Sequence, residues 1–455
     1  MLQGSSLSPT IFNFLINDLA LELEAQQAGV LVHGKLVRCL LFADDTALVA
    51  ATEQQLATLL GVCERWSKRA GMEFSPSKCV CFAPPPAQRS TPLRLYGQDL
   101  PSTERAPYLG FPFTALGIDF GALCQQRCDK AKGVIAMMRS IGLNATGWAP
   151  AAAARIYTVF IRPVMEYGVA LRHPTWKQLA QYQQTQNLAL RTIFSAPPNT
   201  SIAAMHRLLG IPLFAQRCKE LNFLSACRFH NSEDASVVGV DIWRHAVQPE
   251  RSAPPAASLP RATLAQNPLC LEFREQLLDH LANPLRRVSP RQREVPLSRQ
   301  ERRNCQIDAL QQLEQDRDGI AASVLVQSDG RPHHLLTAAT KVSRPNRVSI
   351  TRWQLGLVAF HKPCVKCGSP LSREHAITCA ELGARVERLV EAVPQDQHFG
   401  KTGLDVAINA AAKEGMELEQ AQEVVDIIDR IEEVCGGRVR TEQGFWRPPE
   451  PDGMG

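Results

Sequence analysis

The chain has 455 residues, enough for two or three domains, and its 50 Lys and Arg against 45 Asp and Glu leave a net charge of +5. With 45% hydrophobic and 21% charged residues, it is neither a disordered chain nor a fibre. Its longest apolar runs, such as Trp148 to Ala154, fall far short of a bilayer span, so no membrane partner is expected.

The first hundred residues alternate helix and strand signals. Ser8-Pro9 can cap and start a helix, and Ile11, Phe12, Leu15, Ile16 and Leu19 then repeat at helical spacing, which predicts a helix from about Pro9 to Ala25. Val37 to Phe42 and Thr46 to Ala51 are short runs of β-formers, and Asp44-Asp45 between them predicts a tight hairpin. Glu53 to Arg69 is again helical, through Leu56, Leu59, Leu60, Cys63 and Trp66.

From Gly121 to His230 the pattern is almost wholly helical, with segments expected near 121–141, 151–170, 175–194, 201–210 and 212–230. Eight prolines between Pro249 and Pro296 mark a linker. Arg286 to Arg303 then carries seven arginines against two glutamates, a solvated helix face or a phosphate-contacting segment. Near the end, Glu417 to Val434 reads as an amphipathic helix. The fold class expected is α+β, divided as residues 1–118, a helical 119–248, a Pro/Arg-rich 249–303, a C-terminal region 304–400 and an acidic helical tail 401–455.

Charge is unevenly placed. From Leu404 onward there are twelve acids against five bases, a net −7, so residues 1–403 carry +12 of an overall +5. A body that basic suits a polyanionic partner, and a soluble protein with an acidic tail fits the same numbers.

Two groups of residues carry chemistry. Asp44 and Asp45 place adjacent carboxylates at a hairpin tip held by apolar strands, and their side chains diverge, so one is better placed than the other for a metal. A hard cation such as Mg²⁺ prefers carboxylate oxygens and keeps waters and substrate phosphates as its other ligands. Taken alone, the pair is also ordinary turn chemistry. The second group is Cys364-x₂-Cys367-x₇-His375-x₃-Cys379. One tight turn presents two thiolates, and a His and a Cys four apart share a helical face, so the spacing predicts a closed, structural, tetrahedral Zn²⁺ site. The other thiols among the fourteen cysteines lack such spacing: Cys124 and Cys128, and Cys79 and Cys81, read as core residues in a reduced protein.

The segment from Gln3-Gly4 through Leu7-Ser8-Pro9 and along the helix to Asp18-Leu19, followed by Leu41-Phe42-Ala43-Asp44-Asp45, resembles motifs B and C of a reverse transcriptase of the non-LTR, LINE-type retrotransposon class. Trp66, Gly71 and Phe74 before Ser77-Lys78-Cys79 are similar to motif D, and Tyr108-Leu109-Gly110-Phe111 to the primer-grip turn, motif E. The resemblance implies RNA-templated DNA synthesis on an RNA template with a DNA primer and deoxynucleoside triphosphates. It implies Mg²⁺ on Asp44 with Asp45 as helper. Lys78 would protonate or neutralise the leaving pyrophosphate, and Gln3, Gly4 and Phe42 would lie against nucleotide and template. Leu109-Gly110 would hold the primer end. Arg155-Ile156-Tyr157, Ile161 to Gly168, Leu190-Arg191 and Ala196-Pro197 resemble the thumb, where Arg127, Lys130 and Lys132 would follow the primer–template backbone. Arg352 to Leu357 and the Cys/His group resemble the C-terminal zinc knuckle, with single-stranded nucleic acid as its partner.

Only Met1-Leu2 precede Gln3, whereas the family's motif A aspartate lies upstream of motif B. A truncated palm, inactive alone, is therefore expected. The alternatives are a retrotransposon-derived nucleic-acid-binding protein without catalysis and a decayed reading frame. With no Lys or Arg before Lys35 to start a secretory signal, an intracellular location is expected, and the resemblance adds the nucleus.

Overall fold

The computed structural model describes residues 7–32, 35–82, 92–145, 147–230, 333–336, 341–357, 362–398, 400 and 402–448. Gln3, Gly4 and the Pro/Arg-rich segment 249–303 lie outside the described residues. The chain divides into two compact units, Met1–Leu123 with Ala226–Ala265, and Cys124–Ser225 with Gln266–Gly455. Helices mix with short antiparallel sheets, so the class is α+β. No helix among the described residues is long and apolar enough to cross a membrane.

The first unit begins with α1 (Ser8–Glu24). Ser8 is its first helical residue and makes no cap; the residue before it, Leu7, lacks a capping side chain, and Pro9 starts the helix because its missing N–H would be unpaired there anyway. Two hairpins follow, β1 (Val30–Val32) with β2 (Lys35–Val37) and β3 (Cys39–Phe42) with β4 (Asp45–Leu48). Then comes α2 (Glu53–Ala70), which Thr52 caps by accepting from Gln55 N at 3.2 Å and Gly71 ends at φ 64. Ile16, Leu19 and Leu23 of α1 meet Leu59, Val62, Cys63 and Trp66 of α2 in one core. Against that core lie Cys39, Leu41 and Leu48, one face of the β3–β4 hairpin. Leu40 and Phe42, on the other face, are exposed. Strand alternation thus pins the hairpin to the helices by one side only.

A second small core of Cys81, Leu93, Leu95 and Leu100 lies under β5 (Arg94–Leu95) and β6 (Gln98–Asp99). The three-stranded sheet β7 (Arg105–Tyr108), β8 (Phe111–Thr114) and β9 (Gly117–Ile118) follows it.

The second unit holds most of α3 (Phe120–Ser140), then α4 (Pro150–Ile156), a π-helical turn (Tyr157–Ile161), α5 (Arg162–Glu166), α6 (Trp176–Phe194), α7 (Ile202–Leu209) and most of α8 (Phe214–His230). The sequence reading of one helix over 151–170 fails at Pro163, which lacks the N–H that an α-helical ladder needs; the wide turn before it absorbs the defect, and the helix ends at Glu166. Tyr157, Ile161, Leu190, Met205 and Phe214 fill the core. Leu336 and Leu355, from far along the chain, belong to the same core. His333 N donates to Leu208 O at 3.0 Å, and Arg344 Nη2 to Ala145 O at 3.1 Å, so the C-terminal residues are built onto the helical ones.

The remainder comprises α9 (Arg344–Gln354), α10 (Arg373–Cys379), α11 (Gly383–Glu391), α12 (Gly403–Glu414), α13 (Leu418–Val434) and the hairpin β10 (Val439–Arg440) with β11 (Trp446–Arg447). Helix α13 is the amphipathic helix read from the sequence. Its Val424, Val425, Ile427, Ile428 and Ile431 are buried against Trp353, Leu404 and Ile408.

Candidate nucleic-acid interface and metal centre

The aspartate pair is displaced by one residue from its sequence placement. Phe42 pairs with Asp45, so the two-residue turn is Ala43-Asp44 and Asp45 opens β4. Ala43 holds φ 50, the positive value that primed hairpin turns demand at their first central residue. Asp44 therefore projects from the tip, while Asp45 lies on the exposed face shared with Phe42. Phe42, Asp44 and Asp45 are all exposed, and no hydrogen bond or ion pair neutralises either carboxylate among the described residues.

The β7–β8 turn is built in a related way. Tyr108 pairs with Phe111, and the intervening Leu109 and Gly110 have φ 49 and 73, positive at both central positions as a type I′ turn needs. Glycine accepts this readily; leucine does not, so Leu109 is held in a costly conformation. Burial pushes the Tyr108 hydroxyl up from its ordinary pKa, and the Asp45 carboxylate adds to the rise, which places the two hairpins within electrostatic reach of each other. Nothing local in the sequence signals this relation between Tyr108 and Asp45, 63 positions apart.

Lys78 ends a short 3₁₀ turn, Pro76–Lys78, with an exposed side chain. No hydrogen bond or ion pair joins it to Asp44 or Asp45. Arg127 on α3 lies over the Tyr167 ring at 4.2 Å, and Lys132 pairs with Asp129 at 3.1 Å.

In the second unit Cys364, Cys367, His375 and Cys379 bring their ligand atoms within 4.8 Å of one another. The sulfur separations are 3.7 Å for Cys364–Cys379 and 3.8 Å for Cys367–Cys379, and Cys367 Sγ lies 3.2 Å from His375 Nε2. A tetrahedron of sulfurs about 2.3 Å from a central Zn²⁺ has edges of about 3.8 Å, so the donors fit such an ion. The loop is a true knuckle: Gly368 N donates to Cys364 O and Cys364 N to Ser369 O, both at 2.8 Å, and Gly368 takes φ 76. Burial pushes the Cys364 thiol up, but backbone N–H groups of Cys367 and Lys366 outweigh it and bring it down to about 7. The Ser369 N–H lowers Cys367 similarly. Ser372 caps α10 by accepting from His375 N at 3.1 Å, which fixes the helix that carries His375 and Cys379.

Around the centre are residues that spacing did not single out. Val365 N donates to Cys435 O at 2.9 Å, so the end of α13 seals the knuckle, and the buried Cys435 thiol is pushed up to about 12 by burial and by Cys364. Arg373, the first residue of α10 and two before His375, forms an ion pair with Asp405 of α12. Lys366 Nζ donates to Cys379 O at 2.8 Å and pairs with Glu381 at 3.0 Å.

Residues 1–113 match the family model described as "Reverse transcriptase (RNA-dependent DNA polymerase)". Over 93 residues the chain is 31% identical to the "Retrovirus-related Pol polyprotein from type-1 retrotransposable element R2" of Nasonia vitripennis. That stretch is 20% of this chain and 9% of the relative, so the chain spans a small part of the protein it matches. The motifs B to E lie inside the matched segment, and residues 1–113 are accordingly a reverse-transcriptase segment of the non-LTR retrotransposon class.

Proposed function

We propose that this chain is part of an RNA-directed DNA polymerase, its first unit supplying half of the palm and the helices of its second unit the thumb. The observation that carries the reading is the hairpin tip, where Asp44 and Asp45 stand exposed and unneutralised at a turn strained at Ala43. Mg²⁺ bound there supplies charge neutralisation for phosphoryl transfer. Asp44 holds the ion and Asp45 assists. Lys78 donates to the departing pyrophosphate, Leu109-Gly110 orients the primer end, Phe42 lines the exposed face, and Gln3-Gly4 lie near the incoming nucleotide. A two-metal site needs a further carboxylate from another strand, the role of motif A, so the chain alone is inactive and the working enzyme draws that residue from a further segment.

Zn²⁺ held by Cys364, Cys367, His375 and Cys379 is structural, and the knuckle contacts single-stranded RNA or DNA. Because all four donors belong to the second unit, a binding function without catalysis is the second reading.

Primer extension with Mg²⁺, an RNA template and a DNA primer tests the first reading. The isolated chain is expected to give no product, and a chain joined to a segment with the missing aspartate is expected to extend the primer until Asp44→Asn abolishes it. Robust extension by the isolated chain that disappears in Asp44→Asn overturns the fragment reading; extension that survives Asp44→Asn in the joined chain overturns the assignment of the site.

A further inference from the structure

In the C-terminal part of the second unit, five arginines have carboxylate partners among the described residues, whereas Arg352 has none. Arg373 pairs with Asp405, Arg385 with Glu423, Arg430 with Glu433, Arg438 with Glu432 and Arg440 with Asp429. Arg352, in the last turn of α9, meets no carboxylate and no hydrogen-bond acceptor among the described residues, and its buried Nε is unsatisfied. Glu432, the acid that acts electrostatically on Arg352, is engaged by Arg438, which donates to both of its oxygens at 2.7 Å.

What holds Arg352 instead is aromatic. Its guanidinium lies 5.2 Å from the Phe445 ring centre and 5.5 Å from that of Trp446. Both rings are fixed by the β10–β11 hairpin. Trp446 Nε1 donates to Asp429 Oδ1 at 3.1 Å, and Arg440 reaches Asp429 Oδ2 at 2.9 Å and Asn346 Oδ1 at 2.7 Å. A half-buried cation beside a second cation, Arg438, which itself holds the Glu432 carboxylate that acts on both, is incompletely compensated unless something outside the chain completes it.

The surroundings favour a polyanion over a single carboxylate. From Lys341 to Leu357 there are four bases, Lys341, Arg344, Arg347 and Arg352, and no acid. Arg347 likewise has a buried Nε without an acceptor.

We propose that Arg352, oriented by Phe445 and Trp446, is a phosphate-binding residue that takes the backbone of a single-stranded nucleic acid, a contact made by none of the four Cys/His side chains. The planar guanidinium offers two parallel N–H donors to one phosphodiester, and the rings fix its plane beforehand. The assignment rests on the nucleic-acid-binding reading of the second unit and names a contact which that reading does not require.

The test uses the full Zn²⁺-loaded chain and a fluorescent oligo-uridine, with oligo-thymidine in parallel, over a series of salt concentrations. Arg352→Met is expected to weaken binding about tenfold for both probes and to lower the slope of log affinity against log salt by about one. Arg352→Lys keeps the charge but loses the fork and the stacking, so it is expected to weaken binding about threefold with the slope retained. On the unmodified chain, oligo-uridine is expected to protect Arg352 from phenylglyoxal, read by mass spectrometry, and this measurement stands even where Arg352→Met fails to fold.

Binding lost in Cys367→Ser but unchanged in Arg352→Met, with Arg352 unprotected, overturns this proposal and leaves the knuckle reading standing. Absence of any binding by the unmodified chain overturns both. Preferential binding of poly-glutamate over the oligonucleotides overturns it in favour of an acidic protein partner.

Discussion

Arg373 and Asp405 form an ion pair with side-chain exposures of only 5% and 0%. The pair does not stand alone. Trp353 Nε1 donates to the same Asp405 oxygen at 2.9 Å, Arg373 Nη2 donates to Trp353 O at 2.6 Å, and the guanidinium lies 4.8 Å from the Trp353 ring centre. The second Asp405 oxygen caps α12, accepting from Thr402 N at 3.2 Å and Thr402 Oγ1 at 3.0 Å. One carboxylate therefore ties together α9, α12 and α10, the helix that bears His375 and Cys379.

Removing that carboxylate strands a buried guanidinium and an indole donor. Asp405→Leu is expected to destabilise the second unit by about 3–5 kcal/mol, whereas the double variant Arg373→Met, Asp405→Leu is expected to recover most of the loss, because neither charge then remains buried. Urea denaturation followed by circular dichroism measures both. Equal stabilities for the single and double variants would show that the pair is uncoupled.

The two strained turns make a second prediction. Leu109 at φ 49 and Ala43 at φ 50 adopt backbone that leucine and alanine enter at a cost, so Leu109→Asn and Ala43→Gly are each expected to stabilise the first unit by about 0.5–1 kcal/mol. Gly110→Ala, at φ 73, is expected to destabilise it by about 1 kcal/mol. Thermal melts of the three variants decide the matter, and a lower melting temperature for Leu109→Asn would mean that leucine packing outweighs the backbone cost.

These particulars show where sequence was a sufficient guide. The clustering of Cys364, Cys367, His375 and Cys379 could be read from spacing because a Cys-x₂-Cys turn and a helical His-x₃-Cys each arise within a few residues, and the helices α1, α2 and α6 followed from apolar periodicity. The aspartate turn was off by one residue because a two-residue hairpin connection can shift without altering composition; the Phe42–Asp45 pairing decided it. Strands of two residues, such as β5 and β6, have no periodicity to read. The Arg373–Asp405–Trp353 network joins residues 32 and 52 positions apart, and nothing local in the sequence signals it.

Metal removal should be felt well beyond the knuckle. Cys364 is buried in the core that contains Trp353, Ile377 and Ile431, and Val365 bonds to the end of α13, so the donors and the helices share one packing unit. Zn²⁺ added to the metal-free chain is expected to raise the melting temperature, with a gain of about 4 kcal/mol at a thousandfold excess over the dissociation constant. Cys379→Ser is expected to abolish most of that gain. A chelator that leaves the melting curve of the loaded chain unchanged would refute the coupling.

Two buried histidines set the response to acid. His206 is fully buried, with Nδ1 2.8 Å from Ile211 O and Nε2 3.1 Å from the Gln183 amide, and burial brings its pKa down from 6.5 to about 4. His333 is brought down to about 4 by burial in the same way. The folded chain thus refuses protons that the unfolded chain accepts below 6.5. Stability from each neutral histidine is fully present above 6.5 and falls as pH drops, until near 4 it has lost about 3 kcal/mol per site. Between pH 7.5 and pH 5, urea denaturation should register a loss of about 2 kcal/mol for each, and His206→Gln should remove its own share of that slope. A stability that stays flat across this range would mean that both imidazoles find a way to carry their proton inside the fold.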